Sequence, residues 1–231
     1  MADASSGADE RATLSFESAG RPITVDWYRA GRPGVRPAVL MLHGRDGPER
    51  FAEAYRFAAR QLAERGYHAL FVHYFDASTD DTLFGSAGLA NFFAWMRVVE
   101  DGIGWAASHE NVDGSRIAVM GVSLGASVAL AQASQDRRVK AVIDFYGMLP
   151  LPALAMIHRM PPALILHGAQ DWVVPVAAAY QLDSFLQTLG AEHETHIYPD
   201  EGHGFRGASG ADAVQRTIAF LDRYLGEDHA G

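Results

Sequence analysis

Three residues of this chain have the types and the order needed to activate an oxygen nucleophile. Ser123 lies in Gly121-Val122-Ser123-Leu124-Gly125, Asp171 in His167-Gly168-Ala169-Gln170-Asp171, and His203 in Gly202-His203-Gly204-Phe205. A serine hydroxyl is a poor nucleophile at neutral pH. It needs a base to take its proton, and the base needs an acid to fix its tautomer and stabilise its cation. The chain carries ten histidines, but His203 alone lies between two glycines just after the last expected strand. His193 and His196 fall in or beside that strand, and His167 ends another. Asp200 and Glu201 are rival acids for His203, ranked below Asp171 because neighbours on one loop rarely present the right face to the ring.

The oxyanion of an acyl-transfer step needs preformed N–H donors. The backbone N–H of Leu124, directly after the nucleophile at a helix N-terminus, is the first candidate. The second is the backbone N–H of Arg45, after His43-Gly44 at the end of an early strand. The Arg45 side chain either reaches an anionic substrate group or is solvated. Tyr74, Tyr146, Trp172 and Phe205 are candidate pocket walls, although aromatics at such positions are more often core.

These residues need strands that end where they begin. Ile117–Met120 is a short apolar run leading into the Gly-x-Ser-x-Gly turn, and Ala126–Leu130 reads as a helix packed on a sheet. Strand, tight turn, helix is the setting in which that pentapeptide holds a strained nucleophile. An ordinary strand-to-helix turn accounts for the pentapeptide alone, so the acid and base further along decide the matter. The continuous apolar run Ala38–Leu42 suggests a strand covered on both faces, and Tyr67–Phe75, Val139–Phe145 and Ala163–His167 read as further strands. Helical periodicity marks Glu49–Glu64, Leu89–Ser108, Val176–Leu189 and Ala211–Leu225, and Glu194–Tyr198 reads as the last strand. Thr13–Ser18 and Ile23–Tyr28, joined at Ala19-Gly20, predict a hairpin. Asp76–Gly88 and Asn111–Ser115 read as loop and turn, and the proline-bracketed Pro150–Pro162 stretch as a candidate cap over the site. The expected fold is α/β: one domain over 1–231 with a mostly parallel sheet, helices on both faces and an antiparallel N-terminal hairpin.

Composition narrows the function classes. A chain of 231 residues, 48% hydrophobic, buries a large core. A net charge of −9 argues against a nucleic-acid or anionic-membrane partner. With no cysteine, disulfides, a thiolate nucleophile and Cys-ligated zinc are excluded. His-Glu-x-x-His and a phosphate-binding P-loop are absent, and His193 and His196 should point to opposite faces of a strand. No metal or other cofactor is expected. Residues Met1–Ala12 lack a signal-peptide pattern and read as a flexible tail, and no run is long enough to span a membrane. A cytoplasmic protein is expected, with its oligomeric state open.

Four segments resemble the dienelactone hydrolase family of the α/β-hydrolase superfamily. They are Gly121–Gly125, Asp144-Phe145-Tyr146-Gly147, His167–Pro175 and Gly202–Phe205. The resemblance spans about Ala38 to Leu225. It implies an α/β-hydrolase fold, a Ser123–Asp171–His203 triad, and oxyanion N–H groups from Leu124 and Arg45. Dienelactone hydrolases proper use a cysteine nucleophile and a glutamate in the first oxyanion loop; here serine stands in the first place and Gly44 in the second. The family binds a carboxylated lactone through arginines, a role that Arg206 could take. The resemblance thus implies a serine carboxylesterase or lactonase for a small-molecule substrate. A small peptidase resembling the prolyl oligopeptidase catalytic domain, and a hydrolase fold kept only for binding, are the alternatives.

Overall fold

The computed structural model describes residues 11–78 and 85–226. Eight strands form one sheet in the order β1-β2-β4-β3-β5-β6-β7-β8. Strands β1 (Arg11–Ser18) and β2 (Arg21–Tyr28) pair antiparallel, and β2 joins β4 (His68–Val72) antiparallel. From β4 through β3 (Arg36–Leu42), β5 (Val112–Val122), β6 (Val139–Phe145), β7 (Ala163–Gly168) and β8 (His193–Tyr198) every pairing is parallel. This is the expected α/β-hydrolase arrangement. At the hairpin, Ala19 and Gly20 both take positive φ (48° and 76°), the backbone of a two-residue type I′ turn that matches strand twist.

Helices α2 (Gly85–Ala107), α3 (Leu124–Gln135) and α5 (Ala177–Leu189) cover one face. Helices α1 (Ala52–Arg65) and α6 (Gly207–Leu225) cover the other. Parallel strands buried on both sides cannot alternate, so β3 and β4 read as unbroken apolar runs. Among the described residues, no helix is long and apolar enough to cross a membrane.

Several boundaries depart from the sequence-based expectation. Residues 1–10 of the expected tail lie outside the described residues, and Arg11 and Ala12 already belong to β1. The strand expected over Tyr67–Phe75 stops at Val72, and Tyr74–Ala77 forms a 3₁₀ turn that folds Tyr74 into the core. Apolar continuity carried the reading past the true end. Of the expected Asp76–Gly88 loop, residues 79–84 lie outside the described residues and α2 starts at Gly85. The Asn111–Ser115 turn is absorbed into an irregular start of β5, with a register shift between Arg36 and Ala38 and Asp113 Oδ1 accepting the Ser115 N–H.

The Pro150–Pro162 stretch is not a cap. After the four-residue helix α4 (Leu151–Leu154), Ile157 and Met160 join the core on the α3 side. The Arg159 guanidinium then donates to the carbonyls of Ala133, Ser134 and Asp136. Those carbonyls end α3 about 18 Å from its start, so the stretch runs down the helix away from Ser123. Arginine there also offsets the negative end of the helix dipole.

Candidate active site

Ser123 sits between β5 and α3 with φ 55° and ψ −115°, a strained conformation for a non-glycine residue. Its N–H donates to the Phe145 carbonyl (2.8 Å), tying the turn to β6. The flanking glycines are required by close approach. A Cβ on Gly121 would stand 2.3 Å from the Gly125 carbonyl group, and one on Gly125 would stand 2.4 Å from the His43 carbonyl oxygen. Both obstacles are backbone and cannot step aside. Gly121→Ala should therefore cost the protein more than about 4 kcal/mol or prevent folding, read as soluble yield and denaturation midpoint. A variant as stable as wild type would show that the strand and helix do not meet as described.

His203 reaches both partners. Its Nδ1 lies 2.7 Å from Asp171 Oδ2 and its Nε2 lies 2.9 Å from Ser123 Oγ. A carboxylate only accepts, so Nδ1 carries the proton, and Nε2 faces the serine hydroxyl as an acceptor. The other oxygen of Asp171, Oδ1, accepts the N–H groups of Val173 and Val174, both at 2.8 Å. The carboxylate is wholly buried, and three donors fix its plane. Beneath it, His167 Nε2–H donates to the Val174 carbonyl (2.9 Å) and closes the acid loop; burial lowers the pKa of His167, keeping it neutral.

The acid and base loops are bonded to each other. Ala169 N–H donates to Tyr198 O (2.8 Å) and Gln170 N–H to Glu201 O (2.9 Å). Gly168 backs directly onto Glu201 and Gly202, where a Cβ would come within 2.3 Å of a carbonyl oxygen. The rival acids point elsewhere: Asp200 is exposed, and Glu201 Oε1 accepts the Arg206 N–H (3.4 Å).

The Leu124 N–H is the first of α3, where no acceptor exists within the helix. Gly44 packs on Ser123, since a Cβ there would stand 3.7 Å from Ser123 Cβ. Its own N–H is taken by the Tyr55 hydroxyl (3.0 Å), which leaves the next N–H, that of Arg45, as the candidate from this loop. The Arg45 side chain is exposed.

Of the four aromatic wall candidates, Tyr146 and Phe205 are at the site. The Tyr146 ring meets His203 edge-on at 4.7 Å and Phe205 at 5.2 Å, and its φ of 45° turns it there. Trp172 stands in the acid loop directly after Asp171, 94% exposed. Tyr74 is not a wall: it is fully buried, donates its hydroxyl to the His43 carbonyl (2.9 Å) and stacks on the His43 ring at 4.2 Å. It shapes the loop that carries Gly44. Arg206 is exposed at the N-terminus of α6.

Sequence reasoning did not find the supports. His43 Nδ1–H donates to Gly44 O (2.8 Å), and burial holds its pKa down at about 4, so the ring is neutral. Tyr55 lies eleven residues from its partner on a helix face that reads as core. Asp144 had a legible signal, one carboxyl in an otherwise apolar strand end. Its Oδ1 accepts the Gly147 N–H (2.6 Å) and so holds the turn that presents Tyr146. Its Oδ2 is buried without a partner.

Burial pushes the Asp144 carboxyl up to about 7. A carboxyl raised from 3.8 to about 7 on folding contributes stability that is complete below pH 3.8 and lost as pH rises through about 7. Asp144→Asn keeps the acceptor and removes the titration. Its stability relative to wild type should rise by as much as about 4 kcal/mol between pH 4 and 8, measured by denaturant unfolding. A pH-independent difference would contradict a buried titrating carboxyl.

His193 and His196 do not converge. His193 Nε2 lies 3.4 Å from Asp183 on α5, and His196 Nε2 lies 3.9 Å from Asp212 on α6. Those helices lie on opposite faces of the sheet.

The family model for dienelactone hydrolases matches residues 25–225. A Salmonella typhimurium protein named provisionally as a carboxymethylenebutenolidase is 24% identical over 246 residues, covering 96% of this chain and 90% of that protein. A Klebsiella pneumoniae structure, provisionally a dienelactone hydrolase, superposes with a TM-score of 0.78 at 22% identity, over 93% of this chain and 98% of that one. The acylaminoacyl peptidase of Pyrococcus horikoshii shares the fold with a TM-score of 0.76 at 16% identity, over 96% of this chain but 43% of the peptidase. With the family model matched over most of its length, the chain belongs to the dienelactone hydrolase family of α/β-fold hydrolases.

Proposed function

We propose that this protein is a serine-dependent hydrolase of small carboxylic esters or lactones that works through an acyl-enzyme. The observation that carries the reading is the Ser123 Oγ to His203 Nε2 contact of 2.9 Å, made from a strained turn whose histidine is braced by Asp171. In the proposed cycle Oγ adds to the carbonyl carbon while its proton passes to Nε2. The charge that develops on the carbonyl oxygen is met by the Leu124 and Arg45 N–H groups. Collapse breaks the bond to the leaving oxygen, which takes the proton from Nε2. Water then adds to the acyl carbon, giving its proton to Nε2, and the acid departs as Oγ regains a proton. Asp171 stays ionised and holds the ring.

Tyr146 and Phe205 offer an apolar wall beside the nucleophile, and the exposed cations Arg45 and Arg206 suit a substrate that bears a carboxylate. A fluorophosphonate probe tests the reading. One adduct per chain should form on Ser123, located by mass spectrometry of the digest, and turnover of a short-chain chromogenic ester should fall in step with labelling. Turnover that survives complete labelling, or an adduct on another residue, would overturn it.

A further inference from the structure

Among the described residues no strand pairs with the outer edge of β1, and that edge is suited to a second copy of this chain. The outward-facing groups can be read from β2. The Thr24 carbonyl accepts from His73 N–H and the Thr24 N–H donates to Asp76, so both point away from β1. Thr24 lies opposite Ser15. In an antiparallel pair the two residues of such a position turn their backbone groups outward together, and the pattern alternates. Arg11, Thr13, Ser15 and Glu17 therefore present N–H and C=O groups to the outside of the sheet. The closing Ser18–Arg21 pair of a two-residue turn gives the same phase.

Exposed edges are usually blunted by charged side chains, proline, bulges or short length. Strand β1 has no proline and no bulge and runs eight residues in unbroken register with β2, and its two edge charges, Arg11 and Glu17, are of opposite sign. The opposite edge, β8, is six residues long and carries His193, Glu194 and His196.

We infer that two copies of this chain pair through β1, antiparallel about a two-fold axis at Leu14, to make one continuous sheet. The argument is complementarity of the strand with itself. Among the registers that match outward residues with outward residues, the one centred on Leu14 sets Arg11 opposite Glu17 of the second copy, twice by symmetry. It sets Thr13 opposite Ser15, also twice. On the other face it sets Leu14 against Leu14 and Ala12 against Phe16. Opposite charges, paired hydroxyls and apolar pairs are the cross-strand combinations that stabilise sheets. Each outward residue exchanges both backbone hydrogen bonds with its partner. Arg11 is 38% exposed and held by Asp26 at 3.6 Å, so its guanidinium stays within reach of the edge. A trough lined by Leu14, Trp105 and His109, with Thr13 and Ser15 at its lip, runs along the same edge, and the second Leu14 would cover it.

The test is sedimentation of the full chain across a dilution series. Wild type should sediment as a dimer. Arg11→Glu and Glu17→Arg each place like charges opposite one another and should raise the dissociation constant about tenfold or more. An equal mixture of the two variants should restore the dimer, because in the mixed pair every such position faces an opposite charge. Ser15→Pro removes an outward N–H that the hairpin does not use and should also dissociate the dimer. Arg11→Glu also loses Asp26; if its hairpin fails by circular dichroism, Glu17→Arg and Ser15→Pro decide. A monomeric wild type, a dimer that withstands Glu17→Arg and Ser15→Pro, or folded charge variants that gain nothing from mixing would overturn the inference.

Discussion

Ser123→Ala should lower kcat/KM for a short-chain ester by about 10⁴-fold or more while leaving the fold intact. The two halves of that expectation have separate causes. The lost oxygen is the atom 2.9 Å from His203 Nε2, and among the described residues no other hydroxyl is bonded to that nitrogen. The backbone strain at φ 55° is equal for serine and alanine, since both carry a Cβ, so the substitution adds no new clash. Circular dichroism and denaturation midpoint should match wild type, and the fluorophosphonate should label nothing at position 123. Retention of more than about a tenth of wild-type turnover would remove Ser123 from the chemistry.

Asp171→Asn should cost nearly as much, about 10⁴-fold in kcat, for a reason that the geometry makes specific. The Oδ1 position accepts two N–H groups, from Val173 and Val174, so the asparagine carbonyl oxygen is fixed there. The amide NH₂ must then face His203 Nδ1. A donor at that place forces Nδ1 to accept and moves the ring proton to Nε2, which turns an N–H toward the serine hydroxyl. Binding of substrate should change little, so the loss should appear in kcat more than in KM. Asp200→Asn and Glu201→Gln should leave kcat within a few-fold of wild type, because neither carboxylate is bonded to the ring. If either fell as far as Asp171→Asn, the acid would have been assigned to the wrong loop.

The loops of Ser123 and Asp171 were legible because β5 and β7 end in apolar runs buried on both faces, and such strands leave few alternatives for where the chain turns. His203 follows the polar, half-exposed edge strand β8 and was legible instead from the two glycines that flank it. The hairpin was legible for a local reason, since two strand patterns flank Ala19-Gly20, while its type I′ backbone emerged only in the structure. What lay beyond the sequence was direction. Tyr74 follows β4 and reads as another strand residue, yet the chain folds over there and buries the ring against His43. The prolines around 150–162 signal irregular backbone, but not that Arg159 would anchor it to the far end of α3. Supports such as Tyr55 on Gly44 join residues whose proximity is created by the fold, and neither residue carries a local mark of the other.

The stitching of the acid loop to the base loop has a consequence for redesign. Because Ala169, Gln170 and Gly168 are locked to Tyr198, Glu201 and Gly202, the two loops form one epistatic unit, and a change in either is felt by both ends of the His203–Asp171 bond. A library aimed at new substrates would spend most of its members on misaligned catalytic groups if it varied these loops. Met148, exposed two residues beyond Tyr146, lies outside that lock. Diversity placed there leaves the supports of the His203–Asp171 bond untouched.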